Sequence, residues 1–364
     1  MNSNSIESQE ALQPAMVDRV EELALLHKRI NEAGEGLGAI AVVSGEEGLG
    51  KTRLLEEAAD IAWEQNMLLL RGAANATLSG IPFGLFSEVL AGFLRTAEGN
   101  ERERLRDAVA ELAPLLWFDL FPGEELPEDK AADIEPELGQ SLFMARVGAL
   151  LLQRAQSQPV VLCLEDLHWA DSASLQLLCY LASRNLHVPL LILASLRPEH
   201  ERADAEIDLQ RLLQNLHRNP HVYQLQLQPL SLEDLRALIG ACFPREAFDD
   251  DLFDLLHRKS GGVPLYAMQY LEFLRDKDVL HLDDGLWVNG LIEETDVPDS
   301  VRDTLRQRLE KLADEERQVL SHAAVQGDTF EGILVAQTLG QPLTRVLRLL
   351  SNLMHRTRLV KVYT

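Results

Sequence analysis

The sequence is short of several things, and each shortage removes a class of protein. No uninterrupted apolar stretch approaches the length of a membrane span, and no apolar run stands at the amino terminus as a signal segment would. The protein is therefore expected to be soluble and cytoplasmic, with no membrane partner. Cysteine is scarce. The three present, Cys163, Cys179 and Cys242, lie in apolar stretches without metal-ligand spacing, which points to reduced core thiols and away from a disulfide framework or zinc. Basic residues are outnumbered, 34 Lys and Arg against 58 Asp and Glu, for a formal charge of -24. Such a balance repels polyanions, so direct nucleic-acid binding by this segment is not expected. The local exception is Gln341 to Thr364, with Arg345, Arg348, Arg356, Arg358, Lys361 and no acid; it reads as a solvated helix face. The sequence also lacks internal repeats and low-complexity tracts.

What is present is enough for two or three modules: 364 residues, 46% of them apolar. The most informative stretch is the apolar run Ala39 to Ser44, cut off by Gly45-Glu46-Glu47-Gly48-Leu49-Gly50-Lys51-Thr52 and followed by a helix-forming run from Arg53 to Ala59. This is strand, loop, helix, and the loop fits G-x-x-x-x-G-K-[ST]. The glycines let successive backbone N–H groups curl around phosphate oxygens, the helix starting at Gly50 adds its positive end, Lys51 adds a cation for the β- and γ-phosphates, and the Thr52 hydroxyl is placed for Mg²⁺. A Gly-rich turn before a surface lysine is the plainer reading. A chance match in a chain this long is roughly a one to two per cent event, and the flanking strand and helix favour the nucleotide.

The rest of the chain alternates around that loop. Residues 1–14 are polar and aperiodic and are expected to be disordered, and Asp18 is a candidate cap for an amphipathic helix carrying Val20, Leu23, Leu26 and Ile30. Strands are expected at Met67–Gly72, Val160–Asp166, Val188–Leu196 and Val222–Leu227, with helices after Ile81-Pro82-Phe83, over Gly139–Gln156, over Ser172–Arg184 and near Leu209–Leu216. A βαβ unit requires a parallel sheet. Between Asp119 and Glu137 eight acids and three prolines suggest an exposed insertion. After Pro229 strands become scarce. A capping box at Ser231 starts one helix, two more follow over Asp249–Arg258 and Leu265–Arg275, and Asp283-Asp284-Gly285 reads as a hairpin turn. Helices after Pro298, over Glu315–Ala324 and over Thr344–Met354, with a strand at Leu359–Tyr363, suggest a winged-helix-like unit. The expected divisions are 1–14, a core at 15–228, a helical module at 229–278, and a hairpin with the winged-helix-like unit at 279–364.

Triphosphate hydrolysis also needs a metal anchor opposite the loop and a group that orients the attacking water. Glu165 and Asp166 end an apolar strand, where ligands collect in open parallel sheets. Glu165 is assigned to the metal and Asp166 to the water in preference to the reverse; a solvated acid pair is the plainer reading. Arg197, one strand further on, is placed to sense a γ-phosphate or else is an exposed arginine before a turn. His168 and Trp169 read as packing residues. The whole scheme requires Lys51 and Glu165 to share one side of the molecule.

Together, the loop at Gly45–Thr52 and the string Leu164-Glu165-Asp166-Leu167-His168-Trp169-Ala170-Asp171 closely resemble the AAA-type module of the signal-transduction ATPases with numerous domains (STAND). The resemblance runs from about Met16 to Val360. Asp18-Arg19-Val20-Glu21-Glu22-Leu23 looks like that family's opening helix, which puts Arg19 beside the adenine pocket, although Asp18 stands where glycine is usual. Leu196-Arg197-Pro198 resembles its first sensor. Gly261-Gly262-Val263-Pro264 resembles its lid motif, which puts Pro264 against the base. Many members have aspartate at the position of Glu165.

The implied fold is α/β, a P-loop NTPase core of AAA type followed by a helical lid and a winged-helix-like domain. The implied nucleotide contacts are Arg19, Gly45 to Thr52, Arg53 and Pro264, with Mg²⁺ at Thr52 and Glu165 and catalysis by Lys51, Glu165, Asp166 and Arg197. The implied function is a slow ATPase switch whose ADP and ATP states differ in conformation and in assembly with itself or a protein partner. An origin-recognition-type DNA-remodelling ATPase and a non-hydrolysing nucleotide-binding scaffold are the alternatives.

Overall fold

A computed structural model describes residues 19–75, 80–127, 135–185, 187–197, 221–243, 245–290, 312–327, 330–357 and 360. The chain divides into two units, 1–230 and 231–364. In the first, helix α1 (Val20–Gly34) precedes strand β1 (Ala39–Ser44), α2 (Lys51–Glu64) and β2 (Leu68–Ala73). There follow α3 (Ser87–Thr96), α4 (Glu101–Leu112), the short α5 (Trp117–Leu120), the long α6 (Pro136–Ser157), β3 (Val160–Glu165), α7 (Ser172–Ala182), β4 (Leu190–Leu196) and β5 (Val222–Gln226).

The five strands form one parallel sheet in the order β2-β3-β4-β1-β5. Parallel central strands are covered on both faces, so they read as continuous apolar runs, and every residue of β4 is buried. Alternate residues of the sheet, among them Ile40, Val42, Leu162 and Ile192, join a large core with Phe83, Phe86, Phe93, Trp117, Phe121 and Phe143. Helix α1 packs on α2 and against β1 and β4, while α2 packs against β2, β3 and β4. Register fixes the rim that matters. Ser44 pairs with Leu196 and Ala73 with Glu165, so β1, β4 and β3 deliver their carboxyl ends to one edge of the sheet.

Three expectations need correction. The first helix carries Val20, Leu23, Leu26 and Ile30 and runs from Val20 to Gly34, but the residue that precedes it in the cap position is Arg19, at φ 86, and not Asp18; Asp18 lies outside the described residues. The acid-rich stretch is not simply an exposed insertion at its start. Phe121 is buried and its ring lies 4.5 Å from that of Trp117, because two aromatics outweigh the acids around them. Helix α4 was not foreseen, yet Leu105, Ala108 and Val109 are buried at helical spacing.

In the second unit α8 (Leu232–Cys242) carries the foreseen capping box: Ser231 Oγ accepts from the Asp234 N–H, and the Asp234 carboxylate accepts from the Ser231 N–H. Helices α9 (Asp250–Ser260) and α10 (Pro264–Asp276) follow, then an antiparallel hairpin of β6 (Leu280–Asp283) and β7 (Leu286–Asn289). Asp284 and Gly285 turn it with φ of 47 and 81, as a two-residue Asp-Gly turn requires. Helices α11 (Asp314–Ala324), α12 (Gly332–Leu339) and α13 (Leu343–Thr357) close on their own apolar cluster of Val319, Val335, Val346 and Leu353. The polar amino terminus, the helices expected near Leu209–Leu216 and after Pro298, and the terminal strand expected at Leu359–Tyr363 lie outside the described residues, Leu312 and Val360 excepted.

Candidate functional site

The site is built where β1 breaks. Gly48 and Gly50 take φ of 81 and 90, left-handed values that a side chain disfavours, and they turn the chain directly into α2. Helix α2 has no side-chain cap and no acid in its first turn. The helix itself therefore supplies no anion to its leading N–H groups and positive end. Lys51 is buried, and its ammonium donates to the carbonyls of Gly45 at 2.9 Å and Glu46 at 2.7 Å. Burial pulls its pKa down, the nearby Arg197 cation adds to that, and Asp166 and Glu47 oppose it.

The neighbouring strand completes the rim. The Thr52 hydroxyl donates to the Glu165 carboxylate at 2.7 Å, so the loop and the end of β3 meet directly. Burial raises the Glu165 pKa, the Thr52 bond partly offsets this, and Asp166 pushes it further up. Asp166 leaves the strand with φ 55, and its N–H donates to the buried Ser195 hydroxyl of β4 at 3.0 Å. The left-handed turn gives the two adjacent acids different surroundings: the Asp166 side chain is 38% exposed, with His168 Nδ1 3.8 Å from its carboxylate. Arg197, the residue after β4, donates to the Glu47 carboxylate at 2.9 Å.

Lys51, Thr52, Glu165, Asp166, Glu47 and Arg197 are thus brought together. Arg19 lies on the other side of β1, since the Leu227 N–H donates to the Ser44 carbonyl and Arg19 donates to the Gln228 carbonyl at 2.6 Å. Leu49 is buried under the loop. Arg53 runs along its own helix, 3.6 Å from Glu56 and 3.3 Å from Glu57. Pro264 opens α10 in the second unit. Sequence reasoning singled out neither Ser195 nor the individual role of Asp171. Asp171 caps α7 by accepting from the Ser174 N–H at 2.9 Å, and it also accepts from the N–H of Phe83, held at φ 64, at 2.9 Å. The cap was legible in Asp171-Ser172-Ala173-Ser174; the tie to Phe83 was not.

The residues fit a magnesium nucleotide. The loop offers backbone donors and a lysine to phosphate, while Thr52 and Glu165 offer the hard oxygen donors that Mg²⁺ prefers. A parallel sheet, a glycine loop leading into a helix, and carboxylates at an adjacent strand end define the P-loop class of α/β folds. Residues 16–193 match the family model of the AAA ATPase domain, and this part of the chain is an AAA-type ATPase domain.

Among curated proteins, an uncharacterized protein of Rhizobium meliloti (strain 1021) is 27% identical over 276 residues, 71% of this chain and 25% of that protein. The peroxide stress-activated histidine kinase mak3 of Schizosaccharomyces pombe is 26% identical over 202 residues, 52% of this chain and 8% of the kinase. The chain thus spans a quarter or less of the length of these relatives. Among solved structures, a STAND protein with a tetratricopeptide repeat sensor from Pyrococcus horikoshii aligns over 95% of this chain and 40% of its own, with TM-score 0.48 and 15% identity. Cdc6p from Pyrobaculum aerophilum aligns over 95% and 89%, with TM-score 0.48 and 12% identity. No helix among the described residues is long and apolar enough to cross a membrane.

Proposed function

We propose that the chain is a nucleotide-controlled switch of the STAND type, binding ATP and ADP with Mg²⁺ and hydrolysing ATP slowly. The observation that carries this reading is the Thr52–Glu165 hydrogen bond beside the buried Lys51, because it joins the phosphate loop to the carboxylate strand in one place. Lys51 and the first turn of α2 hold the β- and γ-phosphates. Thr52 and Glu165 hold Mg²⁺, which when bound neutralises charge on the phosphates. Asp166, partly exposed at the strand end, accepts the proton of the attacking water. Arg197 faces the terminal phosphate, Arg19 borders the base, and Arg53 flanks the phosphates from the helix.

Hydrolysis or exchange alters conformation only as far as ATP and ADP differ in affinity for the two states. The expected output is assembly with another copy or a protein partner in the ATP state, in the cytoplasm, within a signalling or transcriptional regulator. The test begins with purified protein, denatured to release and identify any nucleotide, followed by exchange with labelled ATP and ADP. Retained or exchangeable adenine nucleotide, lost in Lys51→Ala, is expected. A protein that neither carries nor takes up adenine nucleotide sinks the reading, and binding without phosphate release leaves only a scaffold.

A further inference from the structure

The loop contains an anion of its own, and it faces the cation best placed to sense a third phosphate. Glu47 lies at the third position of the glycine loop, and its carboxylate accepts from Arg197 Nη1 at 2.9 Å, although 150 residues separate the two in sequence. Glu47 is 60% exposed and Arg197 31%, so the pair stands at the mouth of the site rather than in the core. The guanidinium is incompletely used. Its Nε is buried without a hydrogen-bond partner, which leaves a donor directed to no acceptor among the described residues. Register places Arg197 beside the start of the loop, because Leu196 pairs with Ser44 and the next residues are Arg197 and Gly45.

We propose that Glu47 is a specificity-determining residue that masks Arg197 and narrows the site's preference for nucleoside triphosphate over diphosphate. The inference rests on the nucleotide reading above. A carboxylate and a terminal phosphate are both anions that satisfy one guanidinium. A triphosphate brings one more anionic group to this rim than a diphosphate does, and that group either meets an Arg197 already held by Glu47 or displaces Glu47 and leaves a bare carboxylate beside it. A diphosphate lacks the group that competes. Because Glu47 belongs to the loop, it stays at the site whenever the loop is formed. The pair is exposed enough to open readily, so the mask weakens triphosphate binding without forbidding it.

The experiment measures Kd for ATP and for ADP, each with Mg²⁺, in the full chain and in Glu47→Gln, Arg197→Gln and the double variant, at low and high salt. Glu47→Gln is expected to raise the ratio of ADP Kd to ATP Kd by about 2- to 5-fold, the size of effect an exposed ion pair carries. In the Arg197→Gln background the same substitution is expected to move the ratio by less than half as much, and high salt shrinks both effects. Glu47→Asp, which keeps the charge, is expected to stay near the parent ratio. The proposal is overturned if nucleotide binds normally and Glu47→Gln leaves the ratio unchanged or lowers it, an outcome that spares the nucleotide reading. It also falls if no form of the protein binds either nucleotide, and that result removes the nucleotide reading with it.

Discussion

Two helix starts in this molecule obey opposite rules. Helix α8 opens with Ser231 and Asp234 exchanging hydrogen bonds and with acids in its first turn, so its orphan N–H groups and dipole are met from within. Helix α2 opens on Gly50 in a left-handed conformation, with no side-chain cap, no acid in its first turn, and a buried lysine as its first residue. A helix that only has to fold follows local preference. Helices α10 and α12 also open without a side-chain cap or a first-turn acid, so the open start of α2 points to a phosphate only in company with the glycine loop and the buried Lys51, the combination that an anion-binding helix start requires.

The largest effect expected from breaking this contrast is at Lys51. Lys51→Ala is expected to lower ATP affinity at least ~100-fold, as loss of a buried charge partner does. The nucleotide-free protein is affected differently. The Lys51 pKa is lowered on folding, so the unfolded chain holds that proton more tightly, and below the folded pKa the buried ammonium is a standing penalty. Removing it relieves that penalty but orphans the Gly45 and Glu46 carbonyls it bonds, so the melting temperature at pH 7 is expected to change little. Equal losses of binding and of stability would mean that Lys51 only supports the loop.

Next comes the acid pair. Asp166→Asn is expected to slow phosphate release by about 10²- to 10⁴-fold, the usual range for a general base, with ATP affinity nearly kept. Unchanged release in a protein that otherwise turns over would transfer the role to another residue. For Glu165→Gln the expected loss is the Mg²⁺ dependence of nucleotide affinity, together with a gain in nucleotide-free stability at pH 7. The Glu165 pKa is raised by burial, so as pH climbs past 4.5 the unfolded chain releases its proton first and the folded state loses ground until its own pKa is passed. Thermal melts should therefore separate variant and parent at neutral pH and converge under acid. A gap that widens under acid would reverse the sign of this argument.

How much of this was legible before the structure depends on distance along the chain. The loop from Gly45 to Thr52 and the apolar run ending in Glu165 are local patterns, and each lies where its residues implied. That the two meet through Thr52 and Glu165 follows from the order β2-β3-β4-β1-β5, which no local pattern encodes. The Glu47–Arg197 pair and the Asp171–Phe83 bond are contacts of the same kind, spanning 150 and 88 residues. Composition misled at the acid-rich stretch: eight acids suggested solvent, but Phe121 lies against Trp117 in the core. Helix α4 was overlooked for a similar reason, as its charged positions hid Leu105, Ala108 and Val109. The left-handed turn at Asp166, which gives two neighbouring carboxylates different surroundings, has no glycine to announce it.

The smallest expected effect returns to α8. Ser231→Ala removes the acceptor for the Asp234 N–H and is expected to cost about 1 kcal/mol by denaturant titration, the usual worth of a helix cap. Adding Asp234→Ala should cost less than a second such increment, because the two side chains serve the same helix end and are coupled. The comparison with α2 turns on stability rather than binding. A cap deletion at α8 is expected to weaken folding, whereas deletion of Lys51 at the start of α2 is expected to change it little. If Ser231→Ala proved neutral while Lys51→Ala proved destabilising, the rule that separates the two helix starts would be inverted, and the open start of α2 would be an accident of the loop rather than a place reserved for phosphate.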